Sequence, residues 1–447
     1  MSFSNVAFLF AILLFGMYDV HGLIRPKHDK VVVCYVASWA AYRQGNGAFS
    51  LENLRPEHCT HLIYAFAGLN ASNWTIRSLD PWADMEKDGT GNYRKMTAFR
   101  KQGLKVSLGI GGWNEGSKNY SIMASSLDRR KIFIASAVEF LKTYGFDGLD
   151  LDWEFPGSRG GAPYDKQNFV SLVKELKDAF REHRFSLTAA ISAVKSTIDI
   201  AYDIPEISKY LDYIHVMAYD YHGAWNKRVL PNSPLRSKDQ LDVEHTITYL
   251  LQQGVPAEKL VLGLAMYGRT FVLVDTFLPT TQPETDKINL IGMPSLDTGF
   301  KGPYTSEEGF MGFNEICEAL VMYPQNWTTG WDNESSTAYA VKNKDHVVVY
   351  DDRKAMIAKV EYAKRQKLGG VMVWSIDTDD FRGKCALLHG DMALVDGHDY
   401  PLMKSINAAL ANNTIPFEGN QAPGTSSRQL FSNIAFALSI VIIYLSL

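Results

Sequence analysis

Residues 146–157 read FDGLDLDWEFPG and carry acidic residues at alternate positions: Asp150, Asp152 and Glu154. Side chains alternate between the two faces of a β-strand, so the three carboxyl groups share one face. The other face is apolar and carries Leu149, Leu151 and Trp153. Neighbouring acids would stand about 7 Å apart, where repulsion and desolvation oppose folding. The pattern is typical of a catalytic strand, in which anionic neighbours keep the last carboxyl group protonated as a general acid.

Two other interpretations of this stretch are weaker. An edge strand with a solvated acidic face would not need Trp153, and Pro156-Gly157 favours a buried strand that ends in a loop. A calcium-binding loop of the EF-hand type needs glycine at its sixth position and glutamate at its twelfth. No register that starts at Asp147, Asp150 or Asp152 provides both.

Short apolar stretches alternate with amphipathic ones along most of the chain. Residues 168–181, for example, place five apolar side chains on one helical face, which predicts a helix packed on a core. Eight stretches rich in Val, Ile, Leu and aromatic residues predict buried parallel strands: 31–37, 61–66, 105–110, 148–153, 186–191, 213–219, 260–266 and 370–374. We therefore predict an α/β fold, a (β/α)8 TIM barrel. The interval before the last strand is too long for one crossover, and residues 271–344 carry apolar and aromatic stretches of their own, which predicts an insertion between strands 7 and 8.

Active sites of such barrels lie at the carboxyl ends of the strands. Tryptophan follows or ends three of the predicted strands, as Trp39, Trp113 and Trp374. Any one of them is more simply a core residue. Together they predict a cleft that stacks against the flat apolar faces of sugars.

The acidic stretch resembles the pattern D-x-x-D-x-D-x-E of the family 18 glycoside hydrolases, the chitinases. The pattern falls on Asp147, Asp150, Asp152 and Glu154, and the resemblance extends from about Val31 to Leu388. Residues 271–344 resemble the small α+β insertion domain of the longer members, which implies such a domain between strands 7 and 8 of this barrel. Phe155 stands where the family often has tyrosine, and Ala218 where relatives carry alanine or threonine.

The resemblance implies a role for each residue of the predicted site. Glu154 protonates the glycosidic oxygen, Asp152 turns toward the acetamido N–H of the substrate, and Asp150 lies buried beneath. Tyr219 holds the acetyl carbonyl. The implied substrate-binding residues are Trp39, Trp113, Asp220, Met217, Trp225, Arg269 and Trp374.

The resemblance also implies an endo-acting chitinase with a substrate-assisted mechanism. The N-acetyl oxygen of the sugar attacks C1, an oxazolinium ion forms, and water then releases it with retention of configuration. No metal or cofactor is expected. Two alternatives stay open: a chitin-binding lectin or growth-factor-like protein on the same scaffold, whose members typically lose the acid at Glu154, and a related endo-N-acetylglucosaminidase.

The chain contains four cysteines, and an even number favours disulfides in a secreted protein. Sequence alone allows three pairings, and the family resemblance implies Cys34 with Cys59 and Cys317 with Cys385. Glycosylation sequons N-x-S/T occur at Asn70, Asn73, Asn119, Asn326, Asn333 and Asn412.

The two ends of the 447-residue chain predict targeting segments around the catalytic barrel at 23–394. Residues 1–22 resemble a signal peptide. A linker at 395–427 precedes an apolar segment at 428–447, which resembles a glycosylphosphatidylinositol attachment signal, with a membrane helix as the rival. We expect a secreted or cell-surface monomer. The net charge of −4, without a basic cluster, favours an uncharged substrate such as chitin over nucleic acid.

Overall fold

The computed structural model describes residues 26–275, 290–385 and 398–412. In chain order, the strands are β1 (Val31–Ala37), β2 (His61–Asn70), β3 (Thr75–Ser78), β4 (Lys105–Gly111), β5 (Gly148–Asp152), β6 (Ser186–Ser192), β7 (Tyr213–Met217), β8 (Leu260–Ala265), β9 (Tyr267–Val272), β10 (Phe310–Gly312), β11 (Trp327–Asp332), β12 (Thr337–Lys342), β13 (His346–Tyr350) and β14 (Gly370–Trp374).

A closed parallel barrel forms the centre of the fold. Its strands run in the order β1-β2-β4-β5-β6-β7-β8-β14, and β1 pairs with both β2 and β14, so no edge is left open. The short strand β3 pairs antiparallel with the outer part of β2. The strands are buried on both faces because helices cover them outside and side chains fill them inside. The predicted (β/α)8 TIM barrel is confirmed.

Helices lie between the strands. They are α1 (Pro81–Asp84), α2 (Asn92–Ala98), α3 (Lys118–Ala124), α4 (Leu127–Tyr144), α5 (Asp165–His183), α6 (Lys195–Ala201), α7 (Ile204–Ile207), α8 (Val243–Gln252), α9 (Phe313–Met322), α10 (Arg353–Arg365) and α11 (Pro401–Leu410). The predicted helix at 168–181 is α5, and its apolar stripe from Phe169 to Phe180 is buried. The helix starts earlier because Asp165 ties its first turn to the loop after β5, accepting from Gly157 N at 3.1 Å.

A second sheet lies between β8 and β14 in the chain. It is antiparallel, with the order β10-β9-β13-β12-β11, and α9 follows β10 directly. This sheet spans 267–350 and so exceeds the predicted insertion of 271–344 on both sides. Since β9 begins only two residues after the end of β8, the first residues of the second sheet stand at the rim of the barrel.

Several barrel strands end earlier than the apolar patterns predict. β5 ends at Asp152 rather than 153, and β7 ends at Met217 rather than 219. The indole Nε1 of Trp153 donates to Ser117 Oγ at 2.6 Å, outside the barrel strands. Glu154 therefore lies two residues beyond the end of β5. Of the three acids that were predicted to share one strand face, only Asp150 and Asp152 lie in the strand.

Both implied disulfides are present, Cys34–Cys59 and Cys317–Cys385. The second joins α9 to the chain that follows β14. No helix in the described ranges is long and apolar enough to cross a membrane. The predicted signal peptide and C-terminal apolar segment lie outside the described residues. The described part of the predicted linker at 395–427 contains α11, whose larger apolar side chains are buried, so residues 401–410 belong to the folded domain and are not a linker.

Candidate active site

Asp150 lies at the bottom of the candidate site, fully buried inside the barrel. Its carboxylate accepts from Tyr35 Oη at 2.5 Å and from Thr188 Oγ1 at 2.6 Å, and His215 Nδ1 lies 3.0 Å from it. These partners come from β1, β6 and β7. A buried carboxylate is tolerated when hydrogen bonds replace its hydration, and this network provides them.

Asp152 lies one step further along β5 and has a different environment. It is buried, and its Oδ1 has no hydrogen-bond partner in the described parts of the protein. Burial raises the pKa of Asp152 well above its usual value, and the nearby carboxyl groups of Glu154 and Asp150 raise it further. The residue thus presents an acceptor that is not used within the protein.

Glu154 is partly buried just beyond β5. Burial raises its pKa from 4.5 to about 7; the Arg159 guanidinium opposes this rise and Asp220 adds to it. The prediction that anionic neighbours on the strand cause the rise is thus modified, because removal from water is the largest cause. A carboxyl group with a pKa of about 7 can both donate and accept a proton at neutral pH.

Arg159 connects Glu154 with one of the predicted cleft tryptophans. Its guanidinium donates to the carbonyl oxygens of Glu154 and Trp113, both at 2.9 Å. The guanidinium carbon also lies 3.4 Å from the centre of the Trp113 ring. Sequence analysis did not identify Arg159, because its contact with Trp113 depends on the loop that follows β5.

Tyr219 and Asp220 follow the end of β7. Tyr219 is mostly buried and packs in one apolar cluster with Tyr35, Phe66 and Met217, and its hydroxyl lies 3.8 Å from Met372 Sδ. A methyl group at position 263 would lie 2.9 Å from the Tyr219 ring, so glycine there makes room for the tyrosine.

Asp220 joins the barrel to the second sheet. Its Oδ1 accepts from Tyr267 Oη at 2.7 Å and from Arg269 Nε at 2.8 Å. The Arg269 guanidinium lies 5.2 Å from the centre of the Trp225 ring. Two residues predicted to bind sugar hydroxyls, Asp220 and Arg269, are thus paired with each other.

Aromatic rings line the mouth of the barrel. Trp374 stacks on Phe66 with ring centres 5.8 Å apart, and the centre of the Trp39 ring lies 6.1 Å from each of them. Three of the predicted cleft residues keep about half of their surface exposed: Trp39 at 44%, Trp113 at 59% and Trp225 at 54%. Large apolar rings exposed near a polar centre are typical of a ligand-binding cleft.

Sequence reasoning missed three residues around Asp150, although their positions carried a signal. Thr188 is the register partner of Asp150 on β6, and Tyr35 and His215 lie on strands of the same barrel. A polar residue inside a barrel strand points either inward or toward the helices. The order of strands, which the sequence predicts, would have grouped these residues with Asp150.

Among the described residues, Cys317, Asp380 and Cys385 bring their potential metal-binding atoms within 4.8 Å of one another. The two sulfurs are joined in a disulfide, so the group offers no thiolate. It is a structural crosslink between α9 and the chain that follows β14.

A scan against protein families matches residues 31–379 to glycosyl hydrolases family 18. The chain belongs to this family. The chain is also 47% identical over 405 residues to probable chitinase 2 of Drosophila melanogaster. The match covers 86% of this chain and 81% of that protein.

Two solved structures extend the comparison. Group IV chitinase of Ostrinia furnacalis shares 40% identity, with a TM-score of 0.78, and the match covers 86% of this chain and 100% of that one. It has also been solved in complex with allosamidin. Human YKL-39 is described as a pseudo-chitinase with retained chitooligosaccharide binding; it shares 32% identity over 85% of this chain and 99% of that one, with a TM-score of 0.73. The same fold therefore occurs in a protein described as a chitinase and in one described as a pseudo-chitinase.

Proposed function

We propose that the protein hydrolyses the β-1,4 linkages of chitin as an endochitinase, with Glu154 as the acid and base and with retention of configuration. The proposal rests mainly on the carboxyl groups of Asp152 and Glu154 at the end of β5. Asp152 has a carboxyl oxygen inside the barrel without a hydrogen-bond partner among the described residues, and Glu154 next to it has a pKa of about 7. Both lie at a mouth lined by exposed tryptophans.

In the first step, the protonated Glu154 donates to the oxygen between two sugars, and the bond from that oxygen to C1 breaks. The acetyl oxygen of the same sugar forms a bond to C1, which gives an oxazolinium ion. Asp152 accepts the acetamido N–H through the oxygen that has no partner in the described part of the chain, so the amide is held for attack and the partial negative charge of this oxygen stabilises the positive charge that develops on the amide. The Tyr219 hydroxyl donates to the acetyl oxygen.

In the second step, water attacks C1 and opens the oxazolinium ring. Glu154 is now a carboxylate and takes the proton of the water, which restores the starting state. Both substitutions at C1 invert the configuration, so the product retains it. Since the nucleophile belongs to the substrate, only one protein acid acts at the bond.

The lectin alternative needs the same cleft without the acid. It is disfavoured because Glu154 is present and its pKa is raised by burial, which a pure binding site does not require. The endo-N-acetylglucosaminidase alternative is disfavoured by the row of exposed tryptophans and the second sheet, which suit a linear polymer.

A time course on chitohexaose, read by chromatography that resolves anomers, tests the proposal. We expect shorter oligomers whose new reducing ends are initially β. Cellohexaose, which lacks the 2-acetamido group, is the matched control and should stay intact. An absence of products would favour the lectin, and initial α-anomers would contradict the mechanism.

We further propose that the protein acts outside the cell, either secreted or held by a lipid anchor. The supporting features are the apolar segments at both ends of the sequence and its sequons. Release from intact cells by phosphatidylinositol-specific phospholipase C would support the anchor. Retention on the membrane after treatment would favour a spanning segment, and a cytosolic protein without glycans would contradict secretion.

A further inference from the structure

A lysine and an aspartate form a buried ion pair that the proposed chemistry does not use. Lys359 lies in α10 with its side chain 0% exposed, and its Nζ contacts Asp351 Oδ2. Asp351 follows β13 directly and is also buried. Two charges lose their hydration when they are buried, and an apolar pair of similar volume is often at least as stable. Stability alone therefore gives no reason for charges at this place.

Through Ser233, the lysine is also linked to the segment that carries Tyr219. Its Nζ donates to Ser233 Oγ at 3.0 Å, and Ser233 Oγ donates to the carbonyl oxygen of Ala218 at 2.6 Å. An ammonium group only donates, so the serine oxygen must accept from it. The single hydroxyl hydrogen of Ser233 is then directed to Ala218, the residue before Tyr219.

Asn232, the residue before Ser233, binds the backbone that follows Tyr219. Asn232 Oδ1 accepts from Asp220 N at 2.9 Å, and the Asn232 carbonyl accepts from Tyr221 N at 3.1 Å. Asp220 has a φ of 56°, which residues other than glycine rarely adopt without external contacts. The backbone on both sides of Tyr219 is thus fixed from Asn232 and Ser233 rather than by the β7 ladder, which ends at Met217.

We propose that Lys359, held in place by Asp351, is a positioning residue for Tyr219. The ammonium fixes the direction of the Ser233 hydroxyl, which holds the Ala218 carbonyl and so places the tyrosine hydroxyl at the acetyl oxygen of the bound sugar. This inference rests on the proposed function, because only there does the Tyr219 hydroxyl have that target. Misplacement of a group that orients the attacking oxygen lowers kcat more than it raises KM.

Ser233→Ala tests the inference, and Ser405→Ala is a matched control. Ser405 is also buried between a cation and a carbonyl: its Oγ accepts from Arg353 Nε at 3.0 Å and donates to Pro401 O at 2.8 Å. For Ser233→Ala we expect kcat on chitohexaose to fall about tenfold or more, with KM within about threefold. The control should keep its kcat within about twofold even where both variants lose the same thermal stability.

A second variant removes the charges without leaving one of them unpaired. Lys359→Met combined with Asp351→Leu frees the Ser233 hydroxyl to rotate, and we expect kcat to fall with KM nearly unchanged. This variant decides the question if Ser233→Ala does not fold. Wild-type kcat in the folded variants, or an equal loss in Ser405→Ala, would overturn the inference. Failure of the proposed function is distinguishable, since the wild-type protein would then release no product.

Discussion

At the scale of single residues, the site depends on three carboxyl groups in three environments. Both carboxylate oxygens of Asp150 accept hydrogen bonds, Asp152 has one oxygen without a partner within the described ranges, and Glu154 is partly accessible with a pKa of about 7. Because the folded protein raises the pKa of Glu154 above its usual 4.5, folding favours the protonated form. The contribution of this residue to the free energy of unfolding is therefore present at acidic pH and is lost as the pH rises through about 7.

In Arg159→Gln, the basic limb of the profile of kcat/KM against pH should move to higher pH. The guanidinium stabilises the carboxylate form of Glu154, so its removal raises the pKa of the acid that must be protonated. The measurement is the pH profile on chitohexaose in constant ionic strength. Arg181→Gln on the exposed surface of α5 is the control. A basic limb that stays at the same pH or moves to lower pH would contradict the assigned interaction.

At the scale of elements, the close approach of β4 and β5 places Asp152. Gly111 at the end of β4 has a φ of 114°, and a methyl group there would lie 2.2 Å from the Asp152 carbonyl oxygen. The Gly112 N–H donates to that same oxygen at 2.8 Å. Glycine is needed here for both its conformation and its small size. The backbone that carries Asp152 is thus set by the neighbouring strand.

Gly111→Ala should lower the free energy of unfolding by about 2–4 kcal/mol and should lower kcat, since the new methyl group displaces Asp152. Gly254→Ala is the matched control, because Gly254 also has a positive φ, 85°, but a methyl group there meets no atom within 4 Å. The control should lose only about 1–2 kcal/mol and keep its activity. Urea unfolding and kcat measure the two effects. Identical behaviour of the two variants would show that the clash is unimportant.

The sequence predicted the elements that follow periodic patterns and missed the contacts between distant ones. β1 and β14 were predicted with their observed ends, because both are uninterrupted apolar stretches. The ends of β5 and β7 were placed too late, because Trp153 and Tyr219 are buried aromatic residues like those of a strand but lie beyond the last paired residues, Asp152 and Met217. No periodic pattern links Lys359 with Ser233, which are 126 residues apart.

At the scale of the whole molecule, the second sheet takes part in the candidate site. β9 brings Arg269 and Tyr267 to Asp220, while β13, which pairs with β9, leads directly into Asp351. The Cys317–Cys385 disulfide joins α9 to the chain beyond β14, across 68 residues. The barrel and the second sheet are therefore connected by chain, hydrogen bonds and a covalent crosslink.

Removal of this disulfide by Cys317→Ala with Cys385→Ala should lower the free energy of unfolding by about 2–5 kcal/mol, since the crosslink restricts the unfolded chain. Thermal unfolding with and without a reductant measures the effect. The corresponding double variant of Cys34 and Cys59, which closes a shorter loop of 25 residues, should lose less. An equal or larger loss for the shorter loop would contradict the dependence on chain length.

The most direct test of the proposed mechanism is the turnover of Glu154→Gln on chitohexaose, together with its binding by calorimetry. The amide keeps the shape of the side chain and removes its transferable proton. We expect kcat to fall about 1,000-fold while the dissociation constant stays within about threefold. Glu139→Gln on the exposed face of α4 is the control and should keep wild-type turnover. Turnover of Glu154→Gln within tenfold of the wild type would contradict the assignment of Glu154 as the proton donor.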